Sequence, residues 1–228
     1  STASGENWRG LADYIAAMKD GQKAIYFMTG DDRARLESSP HLEGFTARGV
    51  EVLLLTDPVD SFWVTMAPEF DGKPFKSVTQ GGADLSEIVL PDGAAKPAAE
   101  TSAEVATFIA FVKSTLGEAV SDRRASDRLT ESAVCLVAPN GGPDRQIERL
   151  LSAAGRLDTA AKPILEINPH HERILILAKP GNDDLAFRQD LVHMLYDEAR
   201  VLDGDKPVDA KAFSQRMSRL IERVVPQS

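Results

Sequence analysis

The side chains that could do chemistry are concentrated in a few short stretches. Thr29-Gly30-Asp31-Asp32 follows an apolar run and precedes helical material, where a phosphate-binding turn would sit. Such a turn needs glycines and free backbone N–H groups, but here two carboxylates would repel the phosphate, so Asp31 and Asp32 read as helix caps. Gly72-Lys73 is followed by Pro74, where a phosphate loop would carry a Ser or Thr to hold magnesium, and the dinucleotide fingerprint does not occur. His170-His171-Glu172 has the residue types of a metal site. Adjacent histidines on a helix point about a hundred degrees apart, however, and no third ligand lies at useful spacing. They read as solvated first-turn residues. His41, after Ser39-Pro40, and His193, among helical residues, lack a nucleophile with an evident partner, and no nucleophile elbow is present. Cys135 is flanked by Val134, Leu136 and Val137, without the electropositive surroundings a thiolate needs, so it reads as a buried strand residue.

Composition narrows the classes further. With 228 residues, 43% hydrophobic and 27% charged, the chain suits one large or two ordinary packed domains. A net charge of −9 and the lack of any long Lys/Arg run argue against nucleic acid. A single cysteine precludes an intrachain disulfide framework and favours a reducing compartment. No stretch reaches the roughly 20 apolar residues that span a bilayer, and the N-terminus lacks a basic segment followed by an apolar one. The expected location is cytoplasmic, with no membrane partner.

The elements that must position these residues follow from periodicity. Trp8, Leu11, Ile15 and Met18 share one face of an opening helix that Gly21 stops. Ala24–Met28 and Val50–Leu55 read as buried strands with helical material between them around Leu36, Leu42 and Phe45, which predicts a parallel sheet with packed helices. Thr56-Asp57-Pro58-Val59-Asp60 opens another helix, with Asp57 as N-cap, and a short strand over Phe75–Val78 completes the unit. Gly81 to Ser102, including Leu90-Pro91-Asp92-Gly93 and Lys96-Pro97, loses periodicity and marks a domain boundary. Beyond it come a helix over Ser102–Leu116, strands over Val120–Ala125 and Val134–Val137, and a helix through Ile147, Leu150 and Leu151 ending near Gly155. Asn168-Pro169 then starts a short helix.

The last two helices carry the clearest pattern. Leu185, Val192, Leu195, Ala199 and Leu202 form one stripe, and Phe213, Met217, Leu220 and Val224 form a second at bundle-seam spacing. Gly204, Lys206 and Pro207 join them as an antiparallel pair. A second copy related by a twofold axis would close their shared groove as a four-helix bundle.

Two groups of segments closely resemble the ninety-kilodalton heat-shock chaperones, in their bacterial HtpG form. Arg128-Leu129-Thr130-Glu131-Ser132-Ala133-Val134-Cys135-Leu136-Val137 and Lys162-Pro163-Ile164-Leu165-Glu166-Ile167-Asn168-Pro169-His170 resemble the family's dimerising end. Ile25-Tyr26-Phe27-Met28-Thr29-Gly30, Ser39-Pro40-His41-Leu42-Glu43, Gly49-Val50-Glu51-Val52-Leu53, Thr56–Asp60 and Glu69-Phe70-Asp71-Gly72-Lys73-Pro74-Phe75 resemble the later part of its middle domain, in the same order. The resemblance implies an α/β middle-domain segment with a small parallel sheet over residues 1–100, linker included. It implies an α+β C-terminal dimerisation domain over 101–228, ending in a helical dimerisation pair. Homodimerisation and binding of non-native client proteins would follow. ATP and magnesium belong to the intact family member, whose nucleotide-binding domain would precede Ser1; no cofactor and no catalytic residue is expected here. Val225-Pro226-Gln227-Ser228 lacks the acidic tail that recruits helical-repeat cochaperones in eukaryotic relatives.

The resemblance also implies where clients would touch. Val59, Phe62, Trp63 and Met66 form an apolar stripe that is either core or a partly exposed client contact. Ile147, Leu150 and Leu151 fall where the family carries an amphipathic helix facing the cleft between its arms, although Gly141-Gly142-Pro143-Asp144-Arg145-Gln146 departs from the usual Met-containing sequence. A small α/β enzyme using the strand ends near Gly30 or Asp57, and a plain dimerisation module, stay open as alternatives.

Overall fold

The first sheet is buried on both faces, and the alternation of a single strand shows how. In β1 (Ile25–Thr29), Ile25 and Phe27 face one way, into a cluster with Tyr14, Leu53 and Val64. Tyr26 and Met28 face the other way, joining Leu36, Leu42, Phe45 and Val52. On the first face lie α1 (Leu11–Ala16) and α4 (Asp60–Met66). On the second lie α2 (Arg33–Glu37), a 3-10 turn at Pro40–Leu42 and α3 (Glu43–Ala47). This is a computed structural model, and it describes residues 1–5, 7–81, 85, 87–91, 101–140, 144–153, 155, 161–181 and 184–224.

In the first sheet, β1 runs parallel to β2 (Leu53–Leu55) and to β4 (Lys73–Ser77), and β4 pairs antiparallel with the two-residue β3 (Glu69–Phe70), giving the order β2-β1-β4-β3. The parallel sheet is as expected, whereas the β3–β4 hairpin is an addition, turned by Asp71 and Gly72, both at positive φ. The second sheet has the order β5-β7-β6, from β5 (Asp122–Ala125), β6 (Val134–Val137) and β7 (Ile164–Ile167). Its central strand β7 was not expected as a strand, because Glu166 breaks the apolar run. Around this sheet pack α5 (Ala103–Leu116), α7 (Glu172–Ala178) and α8 (Leu185–Asp203), with Phe108, Val112, Leu165, Ile174, Val192 and Leu195 in one core. The remaining helices are α6 (Arg145–Ala153) and α9 (Ala210–Val224). Among the described residues no helix is long and apolar enough to cross a membrane.

Three expected helix starts are corrected. Trp8 lies outside α1, fully exposed, while Tyr14 takes the buried position and its hydroxyl bonds Glu51 O, Gln22 Nε2 and Tyr26 N. Asp57 does not cap α4: its Oδ1 accepts from Val59 N in a preceding turn, and the helix begins at Asp60. Asn168 likewise bonds His170 N, and His171 is the cap of α7, its Nδ1 accepting from Arg173 N at 3.1 Å. In the last two cases the Asx side chain closes a tight turn on the residue two ahead before the helix starts. Most of Gly82–Ser102, Gly141-Gly142-Pro143, Val225–Ser228 and the side chain of Val224 lie outside the described residues.

Polar contacts join the two sheets. A parallel bridge pairs Gln80 with Ala138, with Gly81 N donating to Ala138 O and Ala138 N to Thr79 O. Glu43, at the start of α3, accepts from the consecutive N–H groups of Thr130, Glu131 and Ser132 at 2.7 to 3.0 Å. Gly44 lets that helix approach, since a Cβ there would lie 2.9 Å from Arg128 O.

Candidate functional site

At the turn best placed for phosphate, Asp32 Oδ1 accepts from Arg35 N and so occupies the first-turn donor of α2. The two-histidine stretch is divided between a cap, His171, and an exposed His170. Cys135 is enclosed beside Glu166, and burial pushes its thiol well above the usual range. These groups do not converge on a reacting centre. Open apolar surfaces lie elsewhere.

One of them is a groove of about 610 Å³ between α7, α8 and α9, walled by Leu177, Met194, Leu202, Phe213, Met217 and Leu220. The expected seam is divided at this point. Leu202 and Met217, each about two-fifths exposed, present themselves to the groove with half-buried Phe213 and Leu220. Leu185 stands exposed at the first turn of α8. Val192, Leu195 and Ala199 instead pack into their own domain's core, with only Leu195 also reaching the groove wall. The repeat correctly gave an apolar face of α8, but the sheet beneath takes most of it. Ile221, unremarked in the sequence, is 55% exposed on α9.

α9 is also paired to α8 by a ladder of charge. Arg216 lies near Asp190 and Asp197, Arg219 pairs with Asp190 at 2.7 Å, and Arg223 pairs with Asp184 while stacking on Phe187. Beside it, burial and Arg216 push the His193 imidazole down from its ordinary pKa. The Arg side chains recur every three or four residues, which the apolar reading of α9 passed over.

α6 is packed with its polar side inward. Asp144, Arg145 and Glu148 are buried, whereas Ile147 and Leu151 are half-buried and Leu150 is exposed. Arg145 reaches Asp203 at 2.5 Å and Asp205 at 3.0 Å, and Arg149 reaches the same two carboxylates at 2.6 and 3.0 Å. Burial opposes the Arg145 charge, but Asp203, Asp205 and Glu148 together outweigh it and raise the guanidinium pKa. On α4, the stripe is also divided. Val59, Phe62 and Met66 are exposed, while Trp63 is half-buried, edge-on to Phe75 and bonded through Nε1 to Asp60 at 2.7 Å.

A family profile described as Hsp90 protein matches residues 1–227. The chain belongs to the Hsp90 family. It is similar to the chaperone protein HtpG of Mesorhizobium japonicum, 75% identical over 223 residues that cover 98% of this chain and 36% of that protein. The chaperone protein HtpG of Rhizobium meliloti is 59% identical over 227 residues, covering 100% of this chain and 36% of that protein. That of Nitrobacter hamburgensis is 59% identical over 215 residues, covering 94% and 34%. The Hsp90-family chain thus spans about 36% of the length of the first two relatives.

Several of the segments that carry the family resemblance meet at the junction of the two sheets. Arg128, buried, donates through a terminal nitrogen to Val78 O and sets its Nε 3.1 Å from Glu166. Glu43 holds residues 130–132, and His41 Nε2 lies 3.6 Å from Asp203 Oδ1. Sequence reasoning passed over Asp144, Asp203 and Glu166, although a charged residue inside an otherwise apolar run, as at Glu166, was a usable signal.

Proposed function

We propose that this chain is the dimerising and client-contacting part of a cytoplasmic HtpG-type chaperone. Residues 1–100 would be the distal segment of its middle domain and residues 101–228 its C-terminal dimerisation domain. ATP and magnesium would act in the part of the protein that precedes this chain. The observation that carries the reading is the open groove between α7, α8 and α9, whose walls are apolar while the outer rows of α8 and α9 are paired in charge. A second copy would lay its own α8–α9 pair there, burying Met217, Ile221 and Leu202 in a four-helix bundle. Non-native segments would meet the outward rows of α6 and α4, with Phe62 and Leu150 exposed and Ile147, Leu151 and Trp63 behind them.

Light scattering coupled to size exclusion tests the assembly. At tens of micromolar the chain should run at twice its monomer mass, as about a standard-size interface would hold there. Met217→Asp with Ile221→Asp should give a folded monomer, because both side chains are substantially exposed within one copy. A monomeric wild-type chain overturns the dimer. A dimer that leaves aggregation of unfolded proteins unchanged is a plain dimerisation module, without the client role.

A further inference from the structure

We propose that the first turn of α6 is a mechanical joint that couples the end of the first sheet to the turn between α8 and α9. Two adjacent buried residues make it. Asp144 accepts from Thr29 Oγ1 at 3.1 Å and Thr79 Oγ1 at 2.7 Å, and from Ser77 Oγ, so that one carboxylate holds the end of β1 and the end of β4. The same carboxylate caps α6, accepting from Gln146 N at 2.8 Å. Arg145, the next residue, holds Asp203 and Asp205, and Asp203 is met from the other side by His41 on the 3-10 turn of the first sheet's unit. Among the described residues, Ile147, Leu150 and Leu151 enter none of the buried apolar clusters.

A helix seated on apolar packing can slide by small steps, since dispersion contacts are weak and undirected. One seated on a buried carboxylate and a guanidinium cannot. Hydrogen bonds weaken steeply with angle and distance, and a buried charge that loses its partners is costly. Displacing the first sheet from α8 therefore forces Asp144 to give up either three hydroxyls or the cap of α6. Loosening one side of the joint loosens the other. This coupling does not rest on the chaperone reading, and its test uses no chaperone activity.

The test is amide hydrogen exchange on the intact 228-residue chain. Ser77→Ala with Thr79→Val removes two hydroxyls from Asp144 and leaves the α6 cap untouched. Exchange at Gly204 and Asp205, whose N–H groups bond Val201 O and Arg200 O, should rise about ten- to a hundredfold, the range for losing hydrogen bonds to a charged group. Amides of α5 serve as the internal reference for global opening. Arg145→Gln is the reciprocal arm and should speed exchange at Gly30 and Val78, whose N–H groups bond Leu55 O and Phe27 O. Acceleration confined to the substituted side in either arm overturns the joint, as does a rise in α5 equal to that at the remote amides. If the double variant does not fold, the Arg145→Gln arm decides alone.

Discussion

Glu166 sits in the middle of the central strand of the second sheet, and its charge is answered from three sides. Arg124 donates to it at 2.6 Å, Ser126 at 3.0 Å, and Arg128 Nε lies 3.1 Å away. Arg128 also donates to Val78 O, so one guanidinium secures both sheets. Arg128→Met leaves part of this buried charge unanswered and should cost about 3 to 5 kcal/mol in urea unfolding, the usual penalty for breaking a buried pair. Asp203 is the second enclosed carboxylate. Burial opposes its ionisation, but the nearby His41 and the charges of Arg145 and Arg149 outweigh it and hold its pKa well below the usual range. The folded chain therefore keeps Asp203 ionised at pH values where the unfolded chain, with a carboxyl near about 3.9, takes up a proton. That contribution is complete above the unfolded pKa and is lost as pH falls towards the folded one. Asp203→Asn should lower stability at pH 7 and flatten its decline between pH 5 and pH 3, measured by urea midpoints.

At the scale of elements, periodicity says which face of a helix is apolar and nothing about what covers it. The α8 stripe was legible, yet Val192, Leu195 and Ala199 are claimed by the core around β6 and β7, leaving the groove to Met194, Leu202 and α9. α6 shows the opposite case. Its apolar residues were legible, but its polar ones are the anchor, because Arg145 and Arg149 find Asp203 and Asp205 across the fold. Strands β1, β2 and β6 were readable from apolar runs and β4 and β5 were also expected, whereas β7 was hidden by Glu166 and the starts of α4 and α7 by Asx turns. These placements separate substitutions that look alike in sequence. Leu195→Ala should cost about 2 to 5 kcal/mol as a core truncation. Phe62→Ser and Leu150→Ser, at exposed positions, should stay within about 0.5 kcal/mol by thermal unfolding. If both are neutral yet weaken retention of unfolded protein, the outward rows are contact surfaces.

The whole molecule is two sheets joined by side chains from segments that lie far apart in sequence. Family membership was legible from short local segments, and three of them, Ser39–Glu43, Arg128–Val137 and Lys162–His170, supply groups that meet at the junction or in the strands beside it. The junction itself was not, since pairings such as Glu43 with residues 130–132 leave no local pattern. The shape also bears on nucleotide. Asp32 occupies the first-turn donor that a phosphate would need, so calorimetric titration of this chain with Mg-ATP should give no saturable heat. Micromolar binding would require a different assignment of that turn.

The two tryptophans stand in opposite surroundings, which gives the chain an optical address. Trp8 is fully in water and its emission should be insensitive to events in the fold. Trp63 lies edge-on to Phe75 with its indole N–H held by Asp60, so its emission depends on α4 staying seated on β4. With Trp8→Phe as background, the remaining fluorescence becomes a single-site record of whether a bound segment, or a moved sheet, lifts α4.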